Sequence, residues 1–379
     1  MFGSGEQLEV TARKLFDHAG VQFNGSQPWD IKVGNDALYR RILMGGSVGF
    51  GESYVDGWWD CHKLDVLFEK VTAASLSQRL GGVAKLNVGW RLLLDTLLNR
   101  QTLSRAYQVG EAHYDIGNDL FEAMLDPSMN YSCGYWQNAE NLVEAQQQKM
   151  DLICRKLKLE PGMKVLDIGC GWGGLAEYMI RRFDVKVVGL TISKEQCALA
   201  QERLKGMPAE IRLQDYRLIE EEQGFDRVVS VGMFEHVGNK NYLGYFEKVA
   251  DLLNPNGLFL LHTIGSESLR KTTDGFIQKY IFPNGKIPNR QMINQTSLQL
   301  LRLEDWHNFG NDYDLTLMAW LENFESNWPE LQNSYDDRFY RMWKYYLCCC
   351  AGWFRSRQGQ LWQLVFSKMD SSSPYRSVR

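Results

Sequence analysis

The sequence lacks a large excess of charge of either sign. Across 379 residues, 42 Lys and Arg stand against 46 Asp and Glu, a formal net charge of -4. That balance excludes nucleic-acid binding through bulk electrostatics and leaves membrane contact to local patches. Long apolar runs are missing too: none approaches the roughly 18 residues of a membrane span. The opening MFGSGEQLEV has neither the basic start nor the apolar stretch of a signal peptide, so a soluble or peripheral protein is expected. Eight cysteines, Cys61, Cys133, Cys154, Cys170, Cys197, Cys348, Cys349 and Cys350, show no zinc-ligand spacing and no disulfide-scaffold density. A reducing cytoplasm is expected. Internal repeats, coiled coils and low-complexity tracts are absent, and only the tail SSSPYRSVR is expected to fray.

What the chain does contain is aromatic surface and a change of pattern part-way along. Aromatic residues make up 12% of it, including 12 Trp, which suits a large apolar or cationic ligand and equally an aromatic core. Its length favours two domains over one core. Helical spacing covers Glu6 to Ala19, then Leu38, Ile42 and Leu43, then Leu64, Leu67, Phe68 and Val71. The stretch MGGSVGFGESYVDGWW between the last two has the composition of a glycine-rich aromatic turn region. From Trp90, the residues Leu93, Leu94, Leu97 and Leu98 form an apolar stripe bounded by Gly89 and Asn99. Such a stripe can seal two domains, pair two copies or lie on lipid.

Downstream, strand patterns at Lys164 to Gly169, Lys186 to Thr191, Ile211 to Asp215, Arg227 to Met233 and Leu258 to Ile264 alternate with helical stretches, which predicts a doubly wound α/β sheet. Residues 265–300, with YIFPNGKIPNR, interrupt the alternation and form a natural substrate cover. Strand patterns at Leu303 to His307 and Gln360 to Ser367 close the sheet.

The strand KVLDIG runs into CGWGGLAEYM, placing Gly169, Gly171 and Gly173 in a tight strand-to-helix turn where a ligand can approach the backbone. The bare turn also fits dinucleotide sites and turns that need glycine for geometry alone. With Asp167 before it, the string VLDIGCGWGG resembles the first motif of class I S-adenosylmethionine-dependent methyltransferases. Such folds commonly carry an acidic residue at the end of the second strand, and here Thr191 stands in that place. Thr191 and Gln196 offer neutral hydrogen-bonding groups to ribose, and Asp215 and Tyr216 are candidates to flank adenine.

From Gly110 onward the chain resembles the cyclopropane-fatty-acid synthases and their mycolic-acid relatives, through HYDIGNDLFEAML, YSCGYW, VLDIGCGWGG, GLTISKEQ, SVGMFEHVG, LLHTIG, YIFPNG and WHNFGNDYDLTLMAW. The resemblance implies an α/β class I methyltransferase fold, a Rossmann-like seven-stranded sheet, with a smaller, mainly helical N-terminal domain. The corresponding expectation is a lipid- and membrane-recruiting domain at 1–85, a helical linker at 86–109 and a catalytic domain at 110–379. Implied too is methylene transfer from S-adenosylmethionine to the cis double bond of an unsaturated phospholipid acyl chain. The alkene attacks the sulfonium methyl group, and the resulting carbocation closes to a ring once a proton leaves.

By the same resemblance the base is a bound bicarbonate ion, and the positions matching its cradle are Cys133, Glu235, His262, Ile264 and Tyr313. Tyr131 and Ser132 join Asp167, Gly169, Gly171, Gly173, Thr191, Gln196, Asp215 and Tyr216 as expected cofactor contacts. Chemically, His262, Tyr313 and the Ile264 N–H are donors to an anion, and Glu235 is expected to share a proton with it. Tyr135, Trp136 and Phe234 are candidates for cation–π stabilisation, with core packing as the plainer reading of each. Cys133 and His262 read as site residues. The triplet Cys348 to Cys350 points in different directions on a helix and reads as packing, with Cys350 an outside catalytic candidate and no metal expected. A homodimer is expected, located in the cytoplasm and peripherally associated with the inner membrane face, with its glycine-aromatic loop docked on the bilayer. Competing readings are a lipid C-methyltransferase giving a methyl-branched product and a non-catalytic lipid-binding protein.

Overall fold

A computed structural model of the chain describes residues 4–76, 117–267 and 274–379. The leucine stripe at 90–98 and the linker expected at 86–109 lie outside these residues. Contacts divide the chain into two units: 1–99 with 270–283 and 317–359, and 100–269 with 284–316 and 360–379. The linear division drawn from the sequence differs from this one, because two later segments join the N-terminal residues.

The first unit is built on helices Gly5–Asp17, Ala37–Val55, Leu64–Ala73, Gly275–Tyr280 and Asp337–Arg355, with a two-stranded ribbon of β1 (Lys32–Val33) and β2 (Trp59–Asp60). The stretch expected as a glycine-rich turn is a correction: the helix runs on to Val55 through a kink at Gly46, where φ is 57°. Of its aromatic residues, Phe50, Tyr54 and Trp59 are buried in the core, while Trp58 is half-buried beneath Arg41. Phe50 stacks on Trp59 at 4.3 Å between ring centroids, and Tyr54 lies 4.9 Å from the same ring. Phe68 and Phe276 meet Tyr345 at 4.8 and 4.5 Å. Burial of this much aromatic surface favours helix here despite the glycines' poor propensity.

The second unit carries the expected seven-stranded sheet, ordered β5-β4-β3-β6-β7-β9-β8. The strands are β3 (Lys164–Ile168), β4 (Lys186–Thr191), β5 (Ala209–Leu213), β6 (Phe225–Val231), β7 (Leu253–Gly265), β8 (Leu301–Asn308) and β9 (Gln360–Lys368). β9 runs antiparallel to both β7 and β8, while the pairs from β5 to β7 are parallel. The central strands are apolar on both faces, as a parallel sheet covered by helices requires. Val165, Leu166, Val228, Val229, Phe259, Leu260 and Leu261 are fully buried. Strand order reverses between β3 and β6, the place where such sheets open a crevice at their carboxyl ends.

The tail expected to fray is also a correction. Arg379 forks onto Asp305 at 2.6 and 2.8 Å, the Tyr375 hydroxyl donates to the Lys156 carbonyl at 3.1 Å, and Val378 packs on a buried cluster. A carboxylate as buried as Asp305 requires cationic partners, and the tail supplies one. Among the described residues no helix is long and apolar enough to cross a membrane.

Candidate active site

The site is assembled from segments that leave the carboxyl ends of neighbouring strands. β3 ends at Ile168 and the chain turns through Gly169, Gly171 and Gly173, with φ of 87°, 55° and 81°. Those left-handed angles are costly for any residue with a Cβ, so the turn needs glycine. At Gly171 an added Cβ would meet nothing within 4 Å, whereas at Gly173 it would lie 3.1 Å from Leu204. The first glycine therefore faces open space and the second is a packing contact. Gly173 caps the helix Gly174–Phe183.

Asp167 is buried just before this turn, and its Oδ2 has no hydrogen-bond partner. Burial pushes its carboxyl up to about 7, against the opposing charge of Lys149. An acceptor oxygen left over in the interior beside an open glycine turn fits a ligand that brings a donor, such as an ammonium group. Thr191 ends β4 as expected and donates to Gln196 Oε1 at 2.9 Å, so the two neutral side chains act as one unit. Asp215 is already committed: Arg217 donates to it from its backbone and from its guanidinium, at 2.6 to 2.9 Å. Tyr216 is core, its ring 5.2 Å from Tyr245. Tyr131 sets its ring against Phe121 at 5.1 Å, and Ser132 Oγ accepts from Lys149 at 2.9 Å.

The second group of candidates meets across β6, β7 and β9. Glu235 follows β6 in a short 3-10 turn, Phe234–His236, and its Oε1 accepts the Ile264 N–H at 2.6 Å. This spends the Ile264 donor that was expected to face an anion. Ile264 orients Glu235 instead. Glu235 Oε2 is buried without a partner, and burial raises the carboxyl to about 7 although the hydrogen bond from Ile264 pulls the other way. Two residues back on the same face of β7 stands His262, buried, with Nδ1 3.3 Å from Gln363 Nε2 and Nε2 unpartnered. Burial holds the imidazole pKa well below its ordinary value, so it is neutral. With the Gln363 amide oriented this way, Nδ1 is the acceptor and the ring hydrogen sits on Nε2.

Cys133 belongs to a buried cluster with Tyr135, Leu152, Phe309 and Leu361, against which Ile264 and Tyr313 pack. The His262 ring lies 5.9 Å from Phe309. Thus Cys133, Glu235, His262, Ile264 and Tyr313, spread over 180 positions, are joined by contacts. Burial pushes the Cys133 thiol well above its ordinary pKa, which makes it a neutral group and not a nucleophile. Of the aromatic candidates, Tyr135 lies in this cluster. Phe234 is stacked on Tyr242 at 4.3 Å in the main core, and Trp136 donates from its indole to Thr316 at 2.9 Å. Cys350 lies in the first unit, on the helix Asp337–Arg355, and burial raises its thiol as well. Among the described residues no His, Cys, Asp and Glu cluster fits a metal ion.

Four residues that sequence reading passed over hold this arrangement. Thr316 Oγ1 accepts from Gly134 N at 3.0 Å and from Trp136, and Asp312 accepts from Trp136 N at 2.7 Å. Gln363 orients the His262 ring through Nδ1, and Lys149 holds Ser132. Asp312 and Thr316 lie in the string WHNFGNDYDLTLMAW and Gln363 in the closing strand pattern, whereas Lys149 lies in no motif, and the convergence of the four shows only in the fold.

The family model for mycolic acid cyclopropane synthetases matches residues 101–364. The cyclopropane-fatty-acyl-phospholipid synthase of Escherichia coli strain K12 is 55% identical over 357 residues, 94% of this chain and 92% of that one. The chain belongs to this family. It is therefore a transferase of the cyclopropane synthase type, with the α/β fold of S-adenosylmethionine-dependent methyltransferases. A solved cyclopropane synthase from Mycobacterium tuberculosis is 33% identical with a TM-score of 0.66, covering 69% of this chain and 98% of its own. A mycolic acid cyclopropane synthase solved with SAH and CTAB is 31% identical with a TM-score of 0.65, at the same coverage.

Proposed function

We propose that this protein transfers a methylene group from S-adenosylmethionine to the cis double bond of an unsaturated phospholipid acyl chain, forming a cyclopropane ring. The observation that carries the reading is the pair of buried, unpartnered atoms Glu235 Oε2 and His262 Nε2, joined by contacts to Cys133, Ile264 and Tyr313 in a chain of this family. Bound S-adenosylmethionine supplies an electrophilic methyl group, and the open turn at Gly171 with the lone oxygen of Asp167 is the part of the chain suited to receive it. Bicarbonate supplies the base that takes a proton from the methylated cation.

The residues divide the work of holding that anion. His262 donates from Nε2, its ring oriented by Gln363. Ile264 fixes one oxygen of Glu235, and the other shares a proton with the anion, which a carboxyl near pKa 7 does readily. Cys133 and Tyr313 line the cradle as neutral groups. The neutral, aromatic surroundings offer the cation no nucleophile to trap it.

The phospholipid as substrate is supported by coverage. The relative whose name includes a phospholipid matches 94% of this chain, and the solved mycolic acid enzymes match 69%. We assign recruitment to the inner membrane surface, and pairing of two copies, to the additional N-terminal length. Flotation of the full chain with unsaturated phospholipid vesicles tests the first, and sedimentation at graded concentration tests the second.

The deciding experiment incubates purified protein with S-adenosylmethionine and unsaturated vesicles, then separates the released acyl chains by gas chromatography with mass detection. The expected product is a cyclopropane acid, one CH₂ heavier than the substrate. A methyl-branched alkene would instead make the protein a C-methyltransferase, and no product despite cofactor binding would leave a binding protein.

A further inference from the structure

Lys149 is fully buried, at 0% exposure, on the helix Leu142–Lys156. An ammonium group is costly to bury unless it is paired. Among the described residues, no carboxylate lies within ion-pair distance of it. Its partners are neutral: Asn130 Oδ1 at 3.0 Å and Ser132 Oγ at 2.9 Å. One helical turn away, Gln146 donates to the Ser132 carbonyl at 2.8 Å and the Asn130 carbonyl at 3.3 Å. One helix face thus grips residues 130–132, which packing alone would not require a cation to do.

A hydroxyl has one hydrogen and two lone pairs. Lys149 occupies a lone pair of Ser132, so the Ser132 hydrogen is turned away from it, and among the described residues no acceptor takes that hydrogen. The charged and titratable groups that Lys149 faces are Asp126, Cys133 and Asp167, with His262 also feeling its charge. Asp126 is occupied by Ser128 and the Asn130 backbone, whereas Asp167 Oδ2 has no partner.

We propose that Lys149 is a positioning residue of the cofactor site: it aims the Ser132 hydroxyl at an anionic group of the bound cofactor and supplies the positive charge behind it. This rests on the reading of residues 131–132 and 167–173 as the S-adenosylmethionine site. A carboxylate of the ligand then meets the Ser132 O–H, and Asp167 meets an ammonium, so these two side chains match the two ends of an amino-acid group. Burial brings the Lys149 ammonium down to about 8, which gives the charge a measurable pH signature.

The test is calorimetric binding of S-adenosylhomocysteine to the full chain and to Lys149→Met, Ser132→Ala and the double variant. Near neutral pH each single variant is expected to bind about tenfold more weakly. The double variant is expected to be no weaker than the worse single one, since both break one relay. Wild-type affinity should fall as pH rises through about 8, toward that of Lys149→Met, which stays flat there. Equal affinity of Lys149→Met and wild type, or additive losses, would overturn the inference. Should Lys149→Met fail to fold, Ser132→Ala decides: it must bind more weakly near neutral pH with a smaller limb near pH 8, and wild-type affinity or an undiminished limb overturns the proposal. A wild-type protein that does not bind the ligand overturns the cofactor reading and this inference with it.

Discussion

Two glutamates, one in each unit, are pushed in opposite directions from the ordinary carboxylate value. Burial alone would raise Glu52, yet hydrogen bonds from Lys279 at 2.6 Å, Tyr280 at 2.8 Å and Arg41 at 3.0 Å bring it down to about 2. Glu235 has one backbone donor for two oxygens, and burial takes it up to about 7. The first is a finished structural interaction. The second is an unfinished one, and unfinished polar groups in an interior mark where a ligand completes the structure. The same contrast separates the Trp59 indole, satisfied by the Phe50 carbonyl at 3.1 Å, from the unpartnered His262 Nε2.

The contrast breaks most sharply at Glu235 itself. Glu235→Gln keeps an oxygen for the Ile264 N–H and removes the shared proton, so kcat should fall about a hundredfold or more, with cofactor KM nearly unchanged. Steady-state rates on unsaturated vesicles decide this, and unchanged turnover would remove Glu235 from the chemistry.

The next effect is on stability of the ligand-free protein. Burial raises the folded Glu235 carboxyl to about 7, above its ordinary value of 4.5. A group whose folded pKa is raised contributes stability that is full below the unfolded pKa and is lost as pH rises through the folded one. Between about pH 4.5 and 7 the loss is on the order of 3 kcal/mol for this group. Chemical denaturation of wild type and Glu235→Gln across that window should show a shallower fall in the variant.

In the helical unit, Gly352→Ala tests packing without touching an unpartnered polar group. The added Cβ would stand 2.4 Å from the Glu69 backbone nitrogen and 2.6 Å from Phe68 Cβ. We expect a destabilisation of about 1–3 kcal/mol, visible as a lowered Tm. A Tm equal to wild type would mean that the helices Leu64–Ala73 and Asp337–Arg355 do not pack this closely.

The smallest effect belongs to Glu52→Gln. Its folded pKa is depressed, so its contribution is present above about pH 4.5 and lost as pH falls toward 2. Partly exposed as the cluster is, about 1 kcal/mol is expected. Acid denaturation should separate the variant from wild type above that window and bring them together below it. A constant separation would refute the assigned pairing.

Much of the sheet was legible because parallel strands covered on both faces are short, almost wholly apolar runs punctuated by glycine turns. The β4 limits, Lys186–Thr191, match the sequence pattern residue for residue, while β5 and β6 begin two residues earlier than expected. The first unit was less legible. Gly45, Gly46, Gly49 and Gly51 spoke for a turn, and the helix through them is held by aromatic partners as distant as Tyr345, which no local window contains. The tail was misjudged for the same reason: SSSPYRSVR is polar and short, and its order comes from Asp305 and Lys156, far back in the chain.

The sequence by itself determined the sheet's alternation, the glycine turn after Asp167 and the family, since these rest on neighbours in the chain. It also carried the chemical types at Cys133, Glu235, His262, Ile264 and Tyr313. Tertiary structure alone decided which of their atoms are already used. Ile264 spends its N–H on Glu235, and Lys149 stands behind Ser132. Whether a polar group is satisfied depends on what approaches it through space, and the chain brings together residues as far apart as His262 and Gln363 only when β7 and β9 pair.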